Sequence, residues 1–378
     1  MALVLTDEQA MIRDAAAGFF ADRAPVAQLR ALRDSRDAIG FSRDLWRQMA
    51  EMGFAGVLVS EANGGTGLGF VAANLIQDAI GQNLSLSPFL SSAVLGATAL
   101  AHGSAEQRAA LLPSLASGGL LLALASDEVS RHTPHRIATR AEASGNGFRL
   151  SGAKTFVLDG HVADKLIVAA RTSGEDDAAD GITLFLVDAK AAGVSTRRTI
   201  MVDSRNAAEV TLAGVQVDGA DVIGEVGGGA LILERVLDAG RTCLAAEMVG
   251  VSSKAFSMTV DYLRQREQFG VKIGSFQALQ HRAAQLYCEV ELAKSACLKA
   301  AQAMDAGDRD APLYASLAKA KAGQVARLAT NEAVQMHGGI GMTDEYDIGF
   351  FMKRARAAET TFGDLSFHGD RLARLMGY

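Results

Sequence analysis

Between residues 123 and 223 the hydrophobic period of this 378-residue chain is two; on either side it is that of a helix. A chain patterned this way must fold as helices, then a β module, then helices. Strand and helix bury different residue spacings, so neither pattern can be hidden in the other geometry. Within the middle stretch, Ile137 to Ala143 and Phe148 to Ser151 flank Ser144-Gly145-Asn146-Gly147, a hairpin signal. Further strand-like runs are Lys154 to Leu158, Leu166 to Ala170, Ile182 to Val187, Val194 to Ile200 and Glu209 to Leu212. Thr172 to Gly181, acidic and small, reads as an exposed loop. Strands following strands across short turns predict an antiparallel barrel or sandwich.

The flanking helices carry their own signals. Thr6-Asp7-Glu8-Gln9 is a capping-box pattern ahead of an amphipathic run through Met11, Ile12, Ala15, Phe19 and Phe20. Ser104 to Gln107 repeats it before Leu111 and Leu112, with Pro113 expected to interrupt or kink the helix there. Asn63 to Gly69 is glycine-rich but lacks dinucleotide-binding spacing and a βαβ context, so it reads as a turn. After Gly227-Gly228-Gly229 come helix candidates Ala230 to Gln265, Ser275 to Met304 and Pro312 to His337. Gly338 to Gly341 ends the third, and a last helix runs from about Glu345 to Ala358. The expected class is α+β: an N-terminal helical domain (1–122), a middle antiparallel β-barrel (123–223) and a C-terminal four-helix bundle (224–378).

Composition narrows the function classes. Lys plus Arg is 37 against 43 Asp plus Glu, and no basic run stands out, which argues against a nucleic-acid partner. The longest apolar stretch, Leu120 to Ala125, is too short to cross a bilayer. The N-terminal run MALVLTDEQAMIRD has acids where a signal peptide carries bases, so a cytoplasmic location is expected. Cys243, Cys288 and Cys297 lie in Ala/Leu-rich helical patterns and read as buried small hydrophobes. The seven histidines show no metal-ligand spacing, so no metal is expected.

Two C-terminal motifs add a resemblance. The first is Arg264-Gln265-Arg266-Glu267-Gln268-Phe269-Gly270, continuing through Ile273, Phe276-Gln277 and Gln280-His281. The second is Gln335-Met336-His337-Gly338-Gly339-Ile340-Gly341-Met342, followed by Glu345-Tyr346. Behind a β module and at this separation, they make the whole chain resemble the acyl-CoA dehydrogenase family. The resemblance implies an FAD that takes a hydride from the β-carbon of an acyl-CoA thioester while a carboxylate removes the α-proton. It also implies a tetramer, an electron-transfer flavoprotein as acceptor, and lipid or steroid catabolism as setting. In the family one chain's barrel holds the flavin ring, and a neighbour's bundle holds the adenine–pyrophosphate end.

Carried over residue by residue, the neighbour's contribution is intact. Arg266 matches the arginine that pairs with the FAD pyrophosphate, and Phe269 its aromatic companion. Gln335, Gly338 and Gly339 match the segment whose backbone approaches the cofactor, where a residue without Cβ is suited. The barrel's own half is eroded. The family's T-E-P-x-x-G-S-D run is here Ser126-Asp127-Glu128-Val129-Ser130-Arg131-His132-Thr133. Ser126 keeps a hydroxyl, Phe156 stands for the family's tryptophan, and Leu158 stands for a threonine that donates a hydrogen bond.

The usual catalytic glutamate, 27 residues after the first glutamine of Q-x-x-G-G, falls on Phe362. The alternative family position precedes an arginine that resembles Arg241, a candidate substrate-binding residue; its predecessor is Gly240. Neither Phe nor Gly takes a proton. Asp364 is the nearest carboxylate and the candidate displaced base, with Glu359 three residues before the expected position. This pattern resembles the glutamate-lacking partner subunit of heteromeric bacterial acyl-CoA dehydrogenases, known on steroid and dicarboxylic-acid thioesters. Two alternatives stand beside it: a self-sufficient homotetramer that uses Asp364, and a non-catalytic scaffold of the same fold.

Overall fold

The computed structural model describes residues 3–178 and 180–378. Met1 and Ala2, at the start of the N-terminal run, and Ala179, in the acidic loop, lie outside the described residues. The chain divides into two compact units. One comprises residues 1–35, 70–86 and 241–378, and the other 36–69 and 87–240.

The first unit is helical. α1 (Asp7–Arg23) opens with the expected capping box, Thr6 and Gln9 exchanging side-chain to backbone bonds. α2 (Val26–Asp34) follows, and the second stretch of chain supplies α4 (Gly69–Asn83). The third supplies the C-terminal part of α7 (Gly229–Gln265), then α8 (Gln277–Asp305), α9 (Ala311–His337), α10 (Ile348–Thr360) and α11 (Leu365–Leu375). α4 and α7 cross in backbone contact. A Cβ on Gly81 would lie 2.2 Å from the Glu247 carbonyl oxygen, and one on Gly250 would lie 2.0 Å from that of Asp78. Only glycine permits that approach. Beside the crossing, Glu247 pairs with Arg354 of α10 at 3.0 Å and accepts from Gln77 of α4 at 2.6 Å. Cys243 and Cys297 are buried as expected, but Cys288 is exposed on α8. Ala-rich helices carry too weak an apolar stripe to fix which face a small residue takes.

In the second unit α3 (Arg43–Glu51) is capped by Ser42, and the indole of Trp46 donates to the Gly118 carbonyl at 3.0 Å. The glycine-rich segment at 63–69 is a packed turn, in which a Cβ on Gly65 would meet the Val59 carbonyl at 2.1 Å. α5 (Ala97–Leu100) continues a π-helical stretch, Phe89–Gly96. α6 (Ala105–Ala116) carries the second capping box and runs three residues past Pro113 instead of breaking there. A proline in the last turn removes a single helical hydrogen bond.

The sheet of this unit is β1 (Leu122–Ala125), β2 (Arg140–Ser144), β3 (Gly147–Leu158), β4 (Lys165–Arg171), β5 (Ile182–Asp188), β6 (Val194–Ile200), β7 (Asn206–Asp218) and β8 (Val222–Ile223). Its order is β6-β7-β3-β2-β4-β5-β8, with β1 on β4. Most pairs are antiparallel as expected, including the β2–β3 hairpin, but β1, and β2 through Arg140 and Arg171, run parallel to β4 and make the sheet mixed. Leu150, Leu166, Val168, Phe185, Val210 and Val215 form its core. Phe148 to Ser151 and Lys154 to Leu158, which the pattern marks as two runs, are one strand whose pairing with β7 shifts register twice. Residues 172–178 and 180–181 lie in a loop region stapled by the buried Arg171, whose guanidinium donates to the carbonyls of His135, Ile137, Asp176, Ala178 and Asp180. No helix among the described residues is long and apolar enough to cross a membrane.

Candidate functional site

The motif residues of the helical unit meet where α7 and α9 end. The rings of Tyr262 and His337 stack with centroids 4.4 Å apart, and His337 Nε2 lies 3.2 Å from the Tyr346 hydroxyl. Its Nδ1 bonds the Ala333 carbonyl at 2.7 Å, and burial lowers the imidazole pKa, which favours the neutral ring. This stack ties the end of α7, one turn before Arg266, to the end of α9, where Gly338 and Gly339 begin. Past α7 the chain forms a small hairpin of β9 (Glu267–Gln268) and β10 (Val271–Lys272). Phe269 at its tip is 91% exposed on left-handed backbone (φ 57°). Phe276 lies edge-on to it, with centroids 6.2 Å apart.

Arg266 and Gln335 are also exposed, and a Cβ on Gly338 or Gly339 would meet nothing within 4 Å. A non-glycine residue on left-handed backbone costs on the order of 1–3 kcal/mol, and such positions cluster at ligand sites. A cationic fork, an amide, open glycine backbone and an aromatic face suit the phosphate and base of a dinucleotide. These residues fit the pyrophosphate end of FAD.

The expected base position is built differently. Phe362 is 7% exposed with φ 58°, and its carbonyl accepts from Arg241 Nε at 3.3 Å. Arg241 is fully enclosed, its guanidinium 5.3 Å from the Phe367 ring centroid. Lys319, to which no sequence motif points, is buried on α9 and donates to the carbonyls of Glu359 and Gly363 at 2.8 and 2.9 Å. The segment around Phe362 is therefore held by two cations acting on backbone oxygens. Asp364 caps α11, accepting from the Phe367 amide at 2.9 Å. Glu359 is buried and paired with Arg356 at 2.9 Å and Arg327 at 3.8 Å.

In the sheet unit, Ser126 is buried at the end of β1 and Leu158 is buried in β3. Between Lys154 and Val157 the β3 ladder slips, which turns Phe156 outward, 50% exposed with φ 51°. Phe156 therefore presents an aromatic face, while Leu158 has no donor to offer. Lys154, another residue outside the sequence motifs, is buried beneath, donating to Glu128 at 2.6 Å and to the Ser126 carbonyl at 3.2 Å. Burial raises the Glu128 pKa, but the Lys154 ammonium and the amides of Ala138 and Thr139 outweigh it and hold the carboxyl below its ordinary value. His132 Nδ1 lies 2.9 Å from Asp127, and Arg131 is exposed. The one signal that could have found Lys154 and Lys319 is a lysine inside an otherwise apolar run. Among the described residues no cluster of His, Cys, Asp and Glu could hold a metal ion.

Comparison with known proteins covers nearly the whole chain. Models for the acyl-CoA dehydrogenase N-terminal, middle and C-terminal domains match residues 6–119, 123–215 and 227–377. A 3-(aryl)acrylate reductase of Clostridium sporogenes (strain ATCC 15579) is 30% identical over 92% of each chain. The solved steroid ACAD Tcur3481–Tcur3483 is 33% identical over 98% of each chain, with a TM-score of 0.87. The ChsE4–ChsE5 complex of Mycobacterium tuberculosis is 28% identical over 100% of each chain, with a TM-score of 0.89.

Proposed function

The chain belongs to the acyl-CoA dehydrogenase family, FAD-dependent oxidoreductases acting on CH–CH donors, and on that premise we propose that it is the partner subunit of a mixed assembly. In this reading an acyl-CoA thioester is oxidised at a site whose catalytic glutamate belongs to the other chain. This chain lends Arg266, Phe269, Gln335 and the Gly338-Gly339 backbone to the pyrophosphate end of the flavin there. FAD, when bound, supplies the two-electron acceptor for the Cα–Cβ bond, and an electron-transfer flavoprotein is the expected onward acceptor.

The observation that carries the reading is the engagement of Glu359 and Asp364, the two carboxylates that flank Phe362 in the chain. Asp364 holds the first turn of α11 and Glu359 is locked between two arginines. Serving as base would cost Asp364 its cap on the Phe367 amide, worth about 1 kcal/mol. That argues against the self-sufficient homotetramer. Arg241, enclosed against Phe362, serves here as a positioning group for that segment. In the sheet unit, Phe156 retains a stacking face and Ser126 a hydroxyl, but with Leu158 that half holds FAD poorly. Two neighbours named by paired chains, one of them a steroid ACAD, support both the mixed assembly and a bulky, steroid-like acyl group.

The test is flavin content. The chain is purified alone and co-expressed with an adjacent acyl-CoA dehydrogenase gene product, and flavin absorbance is read per mole of protein. The proposal expects a colourless chain alone, about one flavin per unlike pair together, and loss of that flavin with Arg266→Ala. About one flavin per chain alone would sink it, and no flavin in either preparation would leave the scaffold reading.

A further inference from the structure

Within the helical unit, α1, α4, α7 and α8 line a half-open cavity of about 520 Å³ that the flavin clamp and the Phe362 segment do not line. One face of α4 contributes Val71, Asn74, Leu75, Asp78 and Gln82, spaced as successive helical turns require. Opposite them stand Val249 and Ser253 of α7 and Leu298 and Ala301 of α8. The walls are mainly aliphatic, yet three polar atoms there have no partner among the described residues. Asn74 is only 6% exposed, and among the described residues neither its Oδ1 nor its Nδ2 finds a hydrogen bond; the Ser253 Oγ is buried and equally unsatisfied there. Each such group costs about 1–3 kcal/mol when left unpaired, so something is expected to satisfy them.

We infer that this cavity is a binding site for an uncharged amphiphile, an aliphatic body carrying a primary amide or hydroxyl head. Asn74 offers both a donor and an acceptor, so its complement must accept and donate in one group. An ammonium can only donate and a carboxylate can only accept. The charged groups around the cavity are otherwise engaged. Gln82 donates to Asp78, Arg13 pairs with Asp14 at 2.8 Å, and Lys294 bonds Glu291 at 2.7 Å. Asp78, which burial pushes up to about 6, is mostly anionic at neutral pH and repels an acid head. The inference stands apart from the flavin proposal, because none of these residues belongs to the clamp.

The experiment titrates hexanamide into the full chain by calorimetry and saturation-transfer NMR, with hexan-1-ol, hexylammonium and hexanoate for comparison. Saturable binding of the amide and alcohol, tighter than of either ion, is expected. Asn74→Leu should weaken hexanamide about tenfold or more, since one amide makes two of the bonds. If that variant fails to fold, Ser253→Ala, a one-atom deletion, should weaken it about three- to tenfold. A cavity that holds only water would show no saturation up to about 10 mM hexanamide and would overturn the inference. So would unchanged affinity in the variants, or a preference for either ion.

Discussion

Replacing Glu247 with Ala tests the joint on which the helical unit is built. Glu247 and Arg354 are each 1% exposed and 3.0 Å apart, Gln77 bonds the second carboxylate oxygen at 2.6 Å, and Arg354 also reaches the Leu84 carbonyl at 3.4 Å. Ala at 247 takes from the buried Arg354 guanidinium the carboxylate 3.0 Å away, which costs about 3–5 kcal/mol. At ~2.1 cal/mol/K per residue, a chain of this size unfolds with an entropy of roughly 0.8 kcal/mol/K, so the midpoint should fall by about 4–6 °C. Removing both charges, as Glu247→Met with Arg354→Met, should instead leave the protein within about 2 kcal/mol of the parent, because no charge is stranded. The assay is thermal denaturation by far-UV circular dichroism at one scan rate for parent, singles and double. A single variant melting within about 1 °C of the parent, or a double variant as unstable as the summed singles, refutes the reasoning.

Three further predictions concern the sites. Asp364→Ala should cost about 0.5–2 kcal/mol of stability through the lost α11 cap and leave turnover by the mixed assembly unchanged; a selective fall in kcat would restore Asp364 as a base. Phe269→Ala should change stability by less than about 0.5 kcal/mol, because the ring covers little of its own chain, while flavin retention in the assembly drops several-fold on gel filtration. Asp159, bonded to Ser91 at 2.6 Å, is pushed up to about 6 by burial. A carboxyl raised in the folded state binds more protons there than when unfolded, so its burden on stability grows as pH rises from about 4 to 6. Asp159→Asn, which keeps the bond and tolerates the left-handed backbone at φ 55°, should therefore stabilise the protein at pH 7 by up to about 3 kcal/mol. That gain should vanish near pH 4 in denaturant titrations.

Much of the fold is legible in the sequence because periodicity is local. Val194–Ile200 is the strand the alternation marks, and Gly229–Gln265 begins one residue before the run its pattern predicts. β3 reads as two pieces because Gly152 interrupts the apolar alternation, while the strand itself continues through two register shifts against β7. α11 escapes the pattern altogether. Its signal, an aspartate after Gly363 ahead of an amphipathic run, looks locally like a loop carrying a candidate base. The parallel β1–β4 pairing joins strands too far apart in the chain for any local pattern to set its direction.

The clamp motif, the order of helices and strands, and the absence of glutamate at 362 are properties of residue identity and spacing, and the sequence alone determines them. Whether a carboxylate near that position is free cannot be read there. Arg327 on α9 and Arg356 on α10 engage Glu359, and the backbone of Phe367 engages Asp364. The exposure of Phe269 and the unmet hydrogen bonds of Asn74 are likewise decided by what packs nearby. Burial and hydrogen-bond partnership are relations between distant parts of the chain, and they exist only once the helices have met.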